Sequence, residues 1–451
     1  MDIARALRLD LPSASNQTVS LAGAGGKTTA LFQLARQLGS RNTGNRAIII
    51  TATSHLGIWQ IPLADHHIIA NDVNGLTNIP PEGVTLVTGE IERDRAKPVN
   101  ETVLNWLHER SRRSSIPLLI EADGSRQKAL KAPAPHEPPI PGFTETVIVV
   151  TGLSAINKLL TDEHVHRAEI FSQLSGLQIG ESITPGAVIS MLTHPQGGLK
   201  NIPPAAQRIV LLNQADTPEL QSIGGGMARE LLHRFDSVIV GSLKKRNFRA
   251  FEPTAGIILA AGQSTRFGSP KQLLDWKGKP FVRQVAETAL HAGLSPVVVV
   301  TGFHAAQVES ALKGLAVMVV NNSNYAQGQS TSIRAGVKSL PYNAGAAVFL
   351  LADQPQMPSA VIRALTELHT QELAPIIAPL VLEEHRANPV LFDRATFADL
   401  LQLTGDIGGR AVFPKYKVKY MPWHDDILLR DVDNPEDYQR LIDIEEPRGK
   451  P

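Results

Sequence analysis

Twice in this chain an apolar run stops abruptly at a glycine-rich turn that carries a cation. The first is Val19-Ser20-Leu21-Ala22-Gly23-Ala24-Gly25-Gly26-Lys27-Thr28-Thr29. The second is Ile257-Ile258-Leu259-Ala260-Ala261-Gly262-Gln263-Ser264-Thr265-Arg266-Phe267-Gly268, followed by Pro270-Lys271. A strand running into such a turn opens an α/β sheet, and open α/β sheets bind ligands outside the carboxyl ends of their strands. The neighbouring pattern agrees. Strands are predicted at 18–23, 47–51, 85–88, 117–121, 146–151, 209–212 and 237–240 in the first half, and at 256–259, 296–301, 317–321, 346–351 and 375–379 in the second. Helical periodicity lies between several of them, as at 28–38, 101–110 and 219–234. Unbroken β-branched runs separated by helices argue for a mainly parallel sheet covered on both faces.

A chain of 451 residues exceeds one ordinary core. The pattern breaks at Leu243-Lys244-Lys245-Arg246-Asn247-Phe248-Arg249, which is basic and aperiodic, and Glu252-Pro253-Thr254 follows. The expected organisation is therefore α/β in two domains, 1–243 and 255–451, joined by a linker at 244–254. No residue-level repeat relates the halves, which argues against duplication.

Lys+Arg 44 against Asp+Glu 43 leaves a net charge of +1. That balance supplies no field for nucleic acid or an anionic membrane, so small-molecule partners are expected. The absence of cysteine excludes disulfides, thiolate metal sites and cysteine nucleophiles. The N-terminus lacks the apolar core of a signal peptide, and no apolar stretch has spanning length. A cytoplasmic enzyme is the expectation.

In the second half, small residues at Ala260, Ala261 and Gly262 let backbone N–H groups approach a phosphate chain. Arg266 can fork onto phosphate oxygens, and Lys271 adds a mobile charge. Val348-Phe349-Leu350-Leu351-Ala352-Asp353 ends a strand in a carboxylate, suited to hold Mg²⁺ against triphosphate oxygens or simply to cap a turn. In Arg430-Asp431-Val432-Asp433-Asn434-Pro435-Glu436-Asp437, one of Asp431 and Asp433 completes such a metal site, while another acid, such as Asp437, caps the next helix.

With Asn321-Asn322, Gly328–Gly336, Asn388–Phe392 and Gly405–Arg410, these pieces resemble the molybdenum cofactor cytidylyltransferases, within the cofactor and sugar nucleotidyltransferases. The resemblance covers Ala255 to about Ile444. It implies a Rossmann-like domain in which Leu259, Ala260, Ala261, Gly262, Arg266 and Lys271 meet the nucleotide, and Gly328 and Ser332 line the base and acceptor side. It further implies that Asp353 and Asp433 hold Mg²⁺, and that Arg266, Lys271 and Asp353 are the catalytic set. The substrates implied are CTP and the molybdopterin cofactor, with Ala260-Ala261-Gly262 resembling the cytidylyl branch. Ala387 departs from the glycine common there. Guanylyl transfer, nucleotide transfer to a sugar phosphate, and a cofactor-binding chaperone are the rival readings.

In the first half a full P-loop would need glycine at position 21, where Leu21 stands. A shorter form, Gly23-x-x-Gly26-Lys27-Thr28, resembles the compact P-loop of the Mur-type ligases. Gly23, Gly25 and Gly26 would cradle phosphates, Lys27 neutralise them and Thr28 ligate Mg²⁺. Glu121-Ala122-Asp123 ends a strand, and Asp123 is the candidate second metal ligand or a member of a salt-bridged turn with Arg126. Lys131, His136 and Glu137 lie on a proline-rich loop. Asn213-Gln214-Ala215-Asp216 has the N-x-x-D form that GTPases use for guanine, although Asp216 as a helix cap is the favoured reading. His55, His66, His67, His164 and His166 lack metal-binding spacing and are expected in surface or core roles. This half is similar to the selenium-dependent hydroxylase accessory protein family, on Gly23–Thr29, Glu121–Arg126, Lys131–Pro138, Gly152–Ser154, His166-Arg167 and Asn213–Asp216. The resemblance implies a nucleotide-binding accessory module with a molybdenum hydroxylase as client.

Overall fold

The computed structural model describes residues 1–10, 17–40, 46–76, 78–263, 267 and 269–443. They divide into two compact units, Met1–Phe251 and Glu252–Pro451.

The first unit is built on nine strands: β1 (Thr18–Gly23), β2 (Ile48–Ala52), β3 (His66–Ile69), β4 (Val84–Thr88), β5 (Leu118–Glu121), β6 (Thr146–Gly152), β7 (Gln207–Asn213), β8 (Ser237–Ser242) and β9 (Asn247–Phe251). Their order is β9-β8-β7-β6-β1-β5-β2-β4-β3. Only β9 runs antiparallel to its neighbour, pairing Val238 with Phe251 through Ser242 with Asn247. From β1 the chain crosses toward β2, whereas from the adjacent β6 it crosses toward β7 on the other side, so β1 and β6 flank the topological switch point where α/β sheets bind ligands. Helices α1 (Lys27–Ser40), α2 (Glu101–Ser114), α3 (Ala168–Ser175), α4 (Pro185–Thr193) and α5 (Pro218–Leu231) accompany it. Val147, Val149, Val210, Val238 and Val240 pack with Phe171, Val188, Met191 and Leu231 in one core. Ile49, Val87, Leu118 and Ile120 pack with Val103 and Leu107 of α2 in another. Each such aliphatic side chain withdrawn from water contributes about 1.5–3 kcal/mol.

The basic stretch expected as a linker, 244–254, is folded. Residues 247–251 are β9, and β10 (Thr254–Ala260) begins three residues later. The cations that made it look unstructured belong to a hairpin turn and an edge strand, where charge is tolerated and discourages further pairing. Arg249, for example, lies over the Phe251 ring at 4.9 Å.

The second unit adds β11 (Val297–Thr301), β12 (Val317–Asn321), β13 (Ala346–Leu351), β14 (Ile376–Val381), β15 (His385–Arg386), β16 (Val390–Asp393) and β17 (Val418–Trp423). The order is β12-β11-β10-β13-β16-β14-β15, with β17 paired to β14. Strands β12, β11, β10 and β13 are mutually parallel, and β16 enters antiparallel to both β13 and β14. Alternate residues of β10 feed opposite layers. Ile258 joins Val285, Ala289 and Leu365, whereas Ile257 joins Ile333 and Val337. The doubly covered sheet explains why these strands read as continuous apolar runs. No helix among the described residues is long and apolar enough to cross a membrane.

Candidate functional sites

The first glycine turn is forced into its shape by its neighbours. Gly23, Gly25 and Gly26 have φ of +97°, +80° and +122°. A side chain on Gly23 would come within 2.3 Å of the Val150 oxygen, and one on Gly25 within 2.4 Å of the Gly152 nitrogen. The turn therefore lies tight over the end of β6 and delivers the chain into α1 at Lys27. The opening amides of α1, which have no intrahelical partner, suit an anion at this terminus.

Lys27 Nζ donates to the Gly23 carbonyl at 2.5 Å and pairs with Asp123 at 3.2 Å, with both side chains almost wholly buried. Asp123 also accepts from the Gly23 amide at 3.0 Å and pairs with Lys131 at 2.7 Å. It braces the loop from beneath. Thr28 Oγ1 instead donates to Glu121 at 3.0 Å. Asp123, the residue singled out beside Thr28 as metal ligand, is thus not the acid that Thr28 meets. Its oxygens are taken by two ammonium groups and an amide, and Glu121 stands in that position. Burial raises the Glu121 carboxyl above the usual carboxylate range, against the opposing pull of Lys27 and Thr28. A divalent cation beside Thr28 would relieve that cost, so hydroxyl and carboxylate fit Mg²⁺.

In front of the loop opens a cavity of about 640 Å³, lined among others by Thr28, Glu121, Arg126, His166 and Arg167. The proline-rich loop does carry structure. Arg167 grips Glu137 through two hydrogen bonds, at 2.7 and 3.2 Å, and Lys131 pairs with Glu137 at 2.8 Å. Burial alone would raise the Glu137 carboxyl, but these two cations outweigh it and hold it down at about 2. Burial, then the charges of Arg167, Lys131 and Arg126, push His166 down to about 4, so it is neutral at neutral pH. Of the other histidines, His67 bonds Thr88 at 2.9 Å. Among the described residues no group of three or more histidines and acids is set to hold a metal.

In the second unit, β10 and β13 flank the point where the strand order reverses. Ala260 and Ala261 are buried at the end of β10. Gly262 is exposed, and a side chain on it would meet nothing within 4 Å, which leaves its backbone open to a ligand. Arg266 lies outside the described residues. Lys271 Nζ is held between two aspartates remote in sequence, Asp433 at 2.8 Å and Asp353 at 4.0 Å. Burial raises the Asp353 carboxyl; Lys271 pulls it back, and Asp431 and Asp433 push it up further. Two carboxylates crowded in this way fit a divalent cation sharing triphosphate oxygens.

Spacing alone leaves Asp431 and Asp433 as alternatives, and the resemblance implies Asp433. The structure separates them: Asp431 accepts from Gln354 at 2.5 Å, while Asp433 faces Lys271. Gln354, which follows Asp353 directly, was not singled out. Asp437 caps the turn before the helix Pro435–Asp443, accepting from the Asp433 amide at 3.1 Å. Val432 and Leu441 pack with Phe267, Trp276 and Phe281, which fastens this C-terminal segment beside the glycine turn.

Gly328 and Ser332 belong to a second cluster, at the start of α6 (Gln329–Lys338). Gly328 has φ +108°, and a side chain there would come within 2.5 Å of the Asp406 backbone. Asn322 Nδ2 donates to Ser332 at 3.0 Å, and Ser330 donates to the Gly405 carbonyl at 2.6 Å. The motifs at 321–336 and 405–410 thus meet. Ala387 is buried and its amide donates to Pro379 at 3.2 Å, so the departure from glycine is accommodated.

Comparison with known proteins now places both halves. A model of the YqeC protein family matches residues 19–169, and a model of the MobA-like NTP transferase domain matches 256–419. The YqeC protein of Escherichia coli strain K12 is 31% identical over 214 residues, covering 46% of this chain and 80% of that protein. The chain belongs to the YqeC family in its first unit, and its second unit carries a MobA-like NTP transferase domain. Two further relatives each align over less than half of the chain. The nicotine blue oxidoreductase of Paenarthrobacter nicotinovorans is 29% identical over 198 residues, covering 42% of this chain and 95% of its own. A protein of Bacillus cytotoxicus named as a probable molybdenum cofactor guanylyltransferase is 30% identical over 139 residues, covering 30% of this chain and 66% of its own. The second unit is therefore a nucleotidyltransferase of the MobA-like type, related to that guanylyltransferase and to the nicotine blue oxidoreductase.

Proposed function

We propose that the second unit joins CMP from CTP to molybdopterin, releasing pyrophosphate. The first unit is a nucleotide-binding accessory module in the maturation of a molybdenum hydroxylase, in the cytoplasm. The observation that carries the transferase reading is the Lys271 ammonium held between Asp353 and Asp433 at the ligand-binding edge of the sheet.

The chemistry follows from the groups present. A terminal phosphate oxygen of the acceptor attacks the α-phosphorus in line. The new O–P bond forms as the bond to the β-phosphate oxygen breaks, and that electron pair leaves with pyrophosphate. A phosphate nucleophile is already ionised at neutral pH, so no side chain need remove a proton. Lys271 neutralises charge on the phosphates, and the turn at Ala261-Gly262 positions them. Mg²⁺ held by Asp353 and Asp433 would supply further charge neutralisation. In the first unit, Lys27 and the opening amides of α1 hold phosphates, with Thr28 and Glu121 toward Mg²⁺.

Ala260-Ala261-Gly262 supports CTP, whereas the guanylyltransferase relative supports GTP as the second reading. Pyrophosphate release measured with molybdopterin and each of CTP, GTP, ATP and UTP decides between them. The expected result is a strong preference for CTP. A preference for GTP ends the cytidylyl reading and keeps the transferase. No release with any of the four ends both.

A further inference from the structure

The Asp216 of the motif Asn213-Gln214-Ala215-Asp216 does not cap the helix that follows it. Helix α5 is capped by Thr217, whose side chain accepts from the Leu220 amide at 3.2 Å. Asp216 is thereby released from that duty. Its Oδ1 is buried and has no hydrogen-bond partner. Lys245 Nζ reaches only the Asp216 backbone carbonyl, at 2.6 Å.

Asp216 lines a cavity of about 490 Å³ together with Gly26, Thr29, Gln33, Leu243 and Lys244. Gly26, Thr29 and Gln214 also line the larger cavity before the glycine turn, so the two spaces adjoin along the start of α1. Asn213 fastens the two together. Its Nδ2 donates to the Gly25 carbonyl at 2.6 Å, and its Oδ1 accepts from the Leu243 amide at 3.0 Å. Gln33, which donates through Nε2 to the Leu243 carbonyl, leaves its own Oε1 buried and unpartnered in the same cavity.

We infer that this second cavity is a base subsite selective for guanine, and that the first unit binds a guanine nucleotide with its phosphates on the Gly23–Thr28 turn. The inference rests on the phosphate-binding reading of that turn. A buried, unpartnered acceptor carries a desolvation cost until a donor reaches it. The cavity presents two such acceptors, one of them a carboxylate. Guanine offers N1–H and its 2-amino group side by side, the donor pair that a carboxylate can accept. Adenine and cytosine each put an acceptor beside one amino group, and uracil puts one N–H between two carbonyls. Leu243, only 3% exposed, and the Lys244 stem supply apolar surface for a ring.

The test uses the full chain and competition of nucleoside diphosphates against a fluorescent GDP, because a diphosphate lacks the triphosphate needed for nucleotidyl transfer. GDP is expected to compete about 100-fold better than ADP, CDP or UDP, and Lys27→Ala is expected to abolish the binding. Asp216→Asn is expected to lose that preference and to gain xanthosine diphosphate, because an amide N–H can donate to the 2-carbonyl that replaces the 2-amino group. A purely structural aspartate would not produce that exchange, and an unchanged thermal midpoint shows that the variant is folded. Equal competition by all four diphosphates, with Lys27→Ala still abolishing binding, overturns the guanine subsite and keeps the phosphate loop. GDP affinity unchanged in Asp216→Asn likewise overturns the subsite alone. Binding unaffected by Lys27→Ala, or no binding, overturns both.

Discussion

The two glycine turns of this protein solve the same electrostatic problem in opposite ways. In the first unit the lysine is fixed from behind. Lys27 is 3% exposed and Asp123 2%, and the carboxylate also ties down the Gly23 amide and Lys131. In the second unit the lysine is fixed from in front. Lys271 is 12% exposed, but its partner Asp433 is 65% exposed and Asp353 stands farther off, at 4.0 Å. A buried ion pair within a scaffold holds shape, and losing one member strands the other. An exposed pair contributes little to stability and can be exchanged for a ligand. The acid of the first turn is therefore structural, while the acids of the second are available for metal and substrate.

The sharpest way to break this comparison is to make the same replacement in both units. Asp123→Asn leaves Lys27 and Lys131 with less buried counter-charge and should cost about 3–5 kcal/mol. Native-state hydrogen exchange at the amides of β1 reads that loss locally, whatever the other unit does. Unchanged protection there would show that Asp123 is not a brace.

Asp353→Asn should behave in the reverse sense. Its carboxyl is raised by burial and by two neighbouring aspartates, so neutralising it relieves repulsion. The fold should lose no stability, while pyrophosphate release falls by about 10²–10³-fold, the scale of removing one group that stabilises developing charge. Activity near that of the unaltered protein would remove Asp353 from the catalytic set.

These roles were legible in the sequence to unequal depths. The inner strands were readable because burial on both faces leaves runs such as 346–351 without polar interruptions, and that strand appears with the predicted limits. The edge strands β9 and β17 were not. In β9, Asn247 and Arg249 alternate with Phe248 and Ala250, and in β17 Lys419 and Pro422 interrupt Val418, Tyr420 and Met421. An edge strand is half-solvated, so its composition approaches that of a loop. The Lys271, Asp353 and Asp433 set followed from ordered motifs. The division of labour between Glu121 and Asp123 did not, because strand alternation stops at Glu121. Beyond it the chain turns under Gly23, and two acids two residues apart come to serve opposite sides of the loop. The release of Asp216 depended on Thr217 taking the cap, a competition between adjacent residues that spacing alone cannot decide.

The smallest predicted effect sharpens the claim that the first turn is braced by charge. Glu137 joins Lys131 to Arg167, and Lys131 in turn holds Asp123. The folded carboxyl titrates at about 2 against a reference of 4.5. A depressed folded value means that the unfolded chain takes up the proton first as pH falls. Glu137 therefore contributes its full stabilisation above about 4.5, and that contribution is lost as pH falls through about 2. Replacing it by Gln should cost about 2 kcal/mol at neutral pH, since the side chain is only partly exposed and one charge-assisted hydrogen-bond set disappears. The gap between Glu137→Gln and the unaltered protein, followed as β1 amide protection at a series of pH values, should narrow steadily below about 4.5. A gap that stays constant across that range would mean that Glu137 acts through packing, and that the brace behind the first turn is Asp123 alone.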